Sequence, residues 1–490
     1  MLPPFWTTAE DDVEDPIGRR RRIIFTLVIG AIIGFLMAGV WGPGVMLGRE
    51  MRGDTELGEK VYGHLRGNAG FRSLQVIEVD RAGVREAGLG PDEGRWEAGA
   101  LTMTFTGHLL ADSVSRGEVR AEDRLAAHLP ELAGSPVGDA TLTDIATQRA
   151  GLPRMLPGES VRSVPAALFG VDPYAGTTPD TLLAEARKLP IENPGIYAHS
   201  QVGAALLGEA LTRAAGQPDW PTLAKVRLFD PLDMRDTTIA TSRDLIPPDA
   251  VRGHRPNGDR VRPSASTGAA AAGCCTWTTA TDLGRYAQAL LSGQVPGTAA
   301  LEPVADGTAP ARVGLFWLVS PGPQEQTLTW HFGGTAGSSS FLALDRDAGR
   351  AVVVLSNTSH PVDRLGAGLI ADDKPPGAAP NPMDLLSALV LAAVVVWTVR
   401  RVLGASRRTQ VLRAALDFAS IALLTALLAD WVTVPGWFHG IGVGVGAGAL
   451  LLGLRRSAEL PWTGEHPRSD RVQVIISAAV LLVVLVLMVV

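Results

Sequence analysis

The sequence predicts an α+β domain whose sheet is assembled from both ends of a long globular stretch, attached to one N-terminal and four C-terminal membrane helices. Three observations carry this expectation. Strand-like runs separated by turn residues sit at both ends of residues 42–370, at 73–88 and again at 326–356. The stretch between them is rich in helical apolar spacing and loops, the order expected when terminal strands close around a helical interior. Outside the globular stretch lie five apolar runs bordered by arginines.

Composition agrees with a partly membrane-embedded chain. A hydrophobic content of 46% and a mean hydropathy of +0.17 over 490 residues are high for a soluble enzyme. The net charge of -6, with basic residues in short blocks beside apolar runs, excludes a nucleic-acid-binding stripe. The only two cysteines are adjacent, Cys274 and Cys275, so their count excludes a disulfide framework and a cysteine-based zinc site. A vicinal disulfide and two small buried thiols remain, and we expect the thiols. No cofactor and no metal site is read from the chain.

Residues 1–22 read as a cytoplasmic tail ending in Arg19–Arg22. Ile23–Trp41 then runs 19 residues without a charge, enough to cross about 30 Å of hydrocarbon. A cleaved secretory signal is the rival, but the run exceeds the usual core of roughly 7 to 15 residues and no A-x-A site follows. Within 42–370, runs 73–80 and 84–88 form a hairpin, and 326–330, 339–345 and 350–356 are strands. Segments 206–215 and 282–291 are helices. Residues 371–382 form a Pro-rich linker.

The remaining residues, 383–490, read as four spans: 385–399, 411–432, 437–454 and 472–490. Arg400–Arg401, Arg407–Arg408 and Arg455–Arg456 all fall on the cytoplasmic side if the globular domain is outside. This implies a multi-pass plasma-membrane protein with a large extracytoplasmic domain. Gly440, Gly442, Gly444, Gly446 and Gly448 suit close helix packing. Asp417, four residues from Arg413, and Asp430, beside Trp431, are read as structural acids, with no proton path implied.

The stretch from Trp96 to Pro130 opens with a turn. Phe105, Leu109, Leu110 and Val114 then recur at helical spacing up to Gly117. From Gly99 to Pro130 it resembles, without a gap, the first motif of class C serine β-lactamases, D-alanyl-D-alanine peptidases and family VIII esterases, which reads Gly-Ser-x-Ser-Lys. Ala100 stands where the nucleophilic Ser belongs, and Met103 stands in place of the Lys. A second segment, 194–208, resembles the family's Tyr-Ser-Asn followed by Leu-Leu-Gly, with His199 at the Tyr and Gln201 at the Asn. An alternative register keeps Tyr197 as the Tyr and needs an insertion before Leu206. His331, Gly333 and Gly334 resemble a His-x-Gly form of the third motif. Two further segments, 228–237 and 278–283, match the family's Pro-Leu-Gly-Met-x-Asp-Thr and Ser-Thr-Ala-x-Asp-Leu. The resemblance spans roughly 54–360 and implies a mainly antiparallel sheet with helices on both faces and a helical subdomain near 120–275.

It also implies a site. Ala100, Met103, His199, Gln201, His331 and Gly333 are expected to line one pocket, with the amides of Ala100 and Gly334 as oxyanion donors. Serine hydrolysis of this type needs a nucleophile and a base to activate it. Both are missing here. None of the four lysines is preceded by Ser at the required spacing, and no G-x-S-x-G elbow occurs. Thr102 is expected to fill the second Ser position and bond locally. The leading expectation is therefore a pseudoenzyme that binds a cell-wall peptide or a protein partner. The alternative is a hydrolase with substituted chemistry.

Overall fold

The computed structural model describes residues 16–489 apart from 42, 66, 68, 170, 323, 374–379 and 465–466, so the middle of the expected linker lies outside the described residues. The chain divides into two compact units, Gly44–Ala379 and a second made of Met1–Pro43 with Pro380–Val490.

In the first unit the elements that position the site are, in chain order, β1 (Met51–Gly53), α1 (Thr55–His64), β2 (Leu74–Asp80), β3 (Gly83–Leu89), α2 (Thr102–Ser115), α3 (Gln201–Ala214), α4 (Ala280–Ser292), β4 (Ala305–Asp306), β5 (Arg312–Val313), β6 (Leu318–Pro321), β7 (Thr327–Gly334), β8 (Ser339–Asp345), β9 (Arg350–Ser356) and α5 (Asp363–Ala371). The nine strands form one antiparallel sheet in the order β1-β3-β2-β9-β8-β7-β6-β5-β4. The expected closure of the sheet from both ends is present: Ile77 of β2 pairs with Val353 of β9, and Leu342 of β8 pairs with that same residue.

Strand periodicity explains why these runs are apolar throughout. Ile77, Val79, Leu342, Leu344, Val353 and Leu355 face a core that includes Leu109 of α2 and Tyr286 of α4. The alternate residues Val76, Phe341, Ala343, Val352 and Val354 face a second core with Leu57 of α1 and Leu369 of α5. Both faces of the sheet are therefore buried, so the usual polar alternation of an antiparallel strand is lost. Helix α2 keeps the expected stripe, with Phe105, Leu109 and Leu110 buried, but Val114 is 38% exposed. Its terminal turn lies at the edge of the core, just before Gly117 turns the chain at φ +72°. Segments 125–275 supply the helical part, built around the almost wholly buried α3.

The expected thiols are not found. Cys274 and Cys275 are joined to each other, and both are buried. With no third cysteine in the chain, each sulfur has only its sequence neighbour to bond.

The second unit holds five long helices: Pro16–Trp41, Pro382–Leu403, Arg408–Leu428, Gly436–Ser457 and Pro467–Val489. By length and composition, four of them are able to cross a membrane, namely Ile17–Ala38 within the first and the next three. The expected span 385–399 is longer at both ends, whereas 411–432 stops at Leu428. The cause is Asp384. Its carboxylate accepts hydrogen bonds from the amides of Asp430, Trp431, Val432 and Thr433, at 2.7–2.9 Å, and holds them in a turn that a continuing helix would not permit.

Candidate functional site

The site is built where the turn before α2 meets strand β7. Gly99 has φ +57°, and a Cβ there would lie 3.0 Å from the nitrogen of Gly334, so neither a side chain nor a wider gap fits between them. Gly333 is equally confined, with a Cβ position 2.7 Å from both the Ala98 carbonyl oxygen and the Leu101 nitrogen. The approach is pinned by Ser340, whose hydroxyl donates to the Ala98 carbonyl at 2.7 Å. The backbone of residues 98–101 and that of Gly333 and Gly334 are thus closely packed.

The side chains over this floor are apolar or neutral. Ala100 is 5% exposed and Met103 is fully buried. Gln148, held at φ +61°, donates through Nε2 to the Met103 sulfur at 3.7 Å and accepts at Oε1 from the Ser200 amide at 2.5 Å. Ser200 caps α3 by accepting from the Gly203 amide and donates to the Pro153 carbonyl. This chain of bonds fixes the 197–200 loop over α2. Gln201 turns elsewhere and accepts from the Tyr174 hydroxyl at 3.0 Å.

Three rings complete the site. His331 and His199 both approach the Phe332 ring, at 5.9 and 6.1 Å between centroids. Burial, reinforced by the facing His199, pushes the His331 pKa down to about 3. Burial, with Arg154 nearby, pushes that of His199 to about 4. Both rings are neutral at physiological pH, and the His331 ring lies within hydrogen-bonding reach of the backbone of Phe316 and Ala100.

His331 opens onto a cleft that Gln148, Tyr197, Phe316 and Trp317 also line. The cleft has a volume of about 10 Å³, room for roughly one water. Ligand pockets for small molecules usually enclose about 300–1,000 Å³. Of the expected site residues, the cleft therefore collects His331 and the alternative-register Tyr197, with Met103 reached through Gln148. His199 reaches the group by stacking on Phe332, whereas Ala100, Gly333 and Gly334 are not among the residues lining the cleft, so the expected single pocket does not gather them. Gln201 faces away.

Sequence reasoning missed Gln148 and Phe332, which contribute through a positive φ and an aromatic stack that no local pattern announces. It also assigned a local bond to Thr102. That residue is fully buried and its hydroxyl has no partner among the described residues. The local bond belongs to Thr104, which donates to the Leu101 carbonyl at 2.7 Å and accepts from the Tyr286 hydroxyl at 3.0 Å. Glu97 is a second omission. Buried, it accepts from the hydroxyls of Thr335 and Ser338, and burial lifts its pKa to about 7.

The family profile described as Beta-lactamase matches residues 51–373. The chain belongs to the β-lactamase family. A β-lactamase of Escherichia coli (strain K12) is 29% identical over 145 residues, covering 29% of this chain and 34% of that protein. The aligned stretch thus spans about a third of the relative's length. Among solved structures, one described as a class C β-lactamase has a TM-score of 0.55 at 17% identity, over 66% of this chain and 98% of that one. The class C β-lactamase from Rhodobacter sphaeroides has a TM-score of 0.53 at 19% identity, over 65% and 98%. At these identities the structural likeness concerns the fold.

Proposed function

We propose that the protein is a membrane-anchored pseudoenzyme of the β-lactamase family, with the family domain on the extracytoplasmic side of the plasma membrane, where it binds a cell-envelope peptide or protein partner. The observation that carries this reading is the pairing of Ala100 with the buried Met103. A methyl group stands where a nucleophile is needed, and a thioether bonded to Gln148 stands where a base is needed. Losing a nucleophile from a hydrolytic constellation lowers turnover by about a millionfold. The narrowness of the cleft supports recognition of a partner over hydrolysis of a substrate held inside it. The joined cysteines support an oxidising compartment.

Tyr197 is assigned here as the vestige of the family's Tyr, because it shares the cleft with His331. The test is restoration. The natural protein should show no covalent labelling by a fluorescent penicillin, whereas Ala100→Ser with Met103→Lys should acquire it, since the Tyr is already in place. Labelling that appears only after His199→Tyr is added would return the assignment to the other register. Ester hydrolysis by the natural protein that disappears in Thr102→Ala or His199→Ala would overturn the pseudoenzyme reading.

A further inference from the structure

Residues 252–262 form a hairpin that the site does not use. Its arms are joined by hydrogen bonds from the Val261 amide to the Gly253 carbonyl and from the Arg255 amide to the Asp259 carbonyl. Its tip grips the chain that has just left the first apolar helix: the Gly44 amide donates to the Asn257 carbonyl at 2.8 Å, and the Val45 amide donates to the Pro256 carbonyl at 2.9 Å. Arg252, Arg260 and Arg262 on this hairpin are exposed. None of the three forms an ion pair among the described residues. The hairpin's own acid, Asp259, is occupied by Arg255 and Asn257. The exposed Glu50 lies beside the equally exposed Arg49 in sequence, so that pair adds little net charge. Met46, next to Val45, is 73% exposed.

Covalent geometry then limits where this surface can go. Trp41 ends the apolar helix and Gly44 is three residues on, a reach of at most about 11 Å. Whatever orientation the domain adopts, the hairpin tip stays close to the membrane interface if the helix crosses it. A domain that lies along the interface then brings these arginines into the headgroup field, which decays over about 8–10 Å at physiological salt.

We propose that Arg252, Arg260 and Arg262 form a binding surface for anionic phospholipid headgroups in the leaflet nearest the domain, with Met46 as its apolar contact. The proposal rests on the first helix crossing the membrane and not on the state of the cleft. An unpaired guanidinium held near a phosphate-bearing surface gains charge-assisted, bidentate hydrogen bonds that water alone does not supply. Tethering makes the encounter intramolecular, so weak individual contacts suffice.

The experiment uses the full chain in nanodiscs of phosphatidylcholine, with or without a third of phosphatidylglycerol, modified by p-hydroxyphenylglyoxal and read by mass spectrometry for each arginine. Arg235, with an 82% exposed side chain, serves as the internal control. In the anionic discs the labelling of Arg252, Arg260 and Arg262 should slow by about fivefold each. It should recover at roughly 1 M salt, where the screening length is about 3 Å. Arg235 should not respond. Equal labelling in the two lipid mixtures would overturn the proposal. So would equal protection in phosphatidylcholine discs after adding free glycerol phosphate, since the patch would then be a site for soluble phosphate.

Discussion

Glu97 shows how a single buried group couples the site to pH. Its carboxyl has an ordinary pKa of 4.5 in the unfolded chain and about 7 in the fold. Below pH 4.5 both states hold the proton and nothing is lost. As pH rises from 4.5 to 7 only the unfolded state releases it, so this residue removes about 3 kcal/mol of stability by pH 7 and above. His108, His199 and His331 act in the opposite direction, because burial lowers their pKa values to about 4, 4 and 3. Their stability is complete above pH 6.5 and is lost as pH falls toward those values, by about 3 to 5 kcal/mol each. The three histidines together outweigh Glu97, so the domain should be acid-sensitive. Glu97→Gln keeps an oxygen for Thr335 and Ser338 while removing the charge. The variant should match the natural protein near pH 4.5 and exceed it by up to about 3 kcal/mol at pH 8, as read from denaturant midpoints of the domain in detergent. Equal stability at pH 8 would show that Glu97 is solvated. Little of this was legible beforehand: Glu97 looks like any strand-end acid until Thr335 and Ser338, more than two hundred residues later, are folded onto it.

At the scale of elements, the membrane helices are organised by glycine and by one acid. A Cβ on Gly34 would come within 2.0 Å of the Gly440 carbonyl oxygen, and one on Gly444 within 2.0 Å of that of Gly30, so Pro16–Trp41 and Gly436–Ser457 touch backbone to backbone. Gly34→Leu should separate the two helices, lowering the thermal stability of the detergent-solubilised protein. Asp384→Ala should be damaging for a different reason. It strands four amides, and breaking a buried charged network of this kind costs about 3 to 5 kcal/mol. Asp417→Ala breaks only a 3.5 Å contact with Arg413, worth about 1 kcal/mol or less. Equal melting temperatures for the two variants would refute the distinction. Sequence patterns located these helices well, and they placed strands 339–345 and 350–356 at their observed bounds, because apolar runs and turn residues are local signals. They misplaced the end of Arg408–Leu428, since what stops that helix is a carboxylate from another one.

For the whole molecule, the orientation of the chain follows from which helix ends meet inside the membrane unit. Arg407 pairs with Asp470 at 3.0 Å, and Arg408 donates to the carbonyls of Ala458 and Leu460, so the loops after Leu403 and after Ser457 lie side by side. At the opposite ends, Asp384 holds residues 430–433, and the Cβ position of Gly436 is 2.0 Å from the Pro43 carbonyl oxygen. The unit therefore has one end that gathers Arg400, Arg401, Arg407, Arg408, Arg455 and Arg456, and another from which residue 43 leaves and to which residue 380 returns. The positive-inside rule, most reliable for short loops such as these, supports the proposed orientation, with the arginine-rich end in the cytoplasm and the large domain on the other side. Protease added to intact cells should degrade residues 44–379 and leave the 404–407 and 458–466 loops uncut until the membrane is permeabilised. Protection of the large domain in intact cells, with cleavage only after permeabilisation, would reverse the orientation. It would also remove the basis for a ligand from the cell envelope.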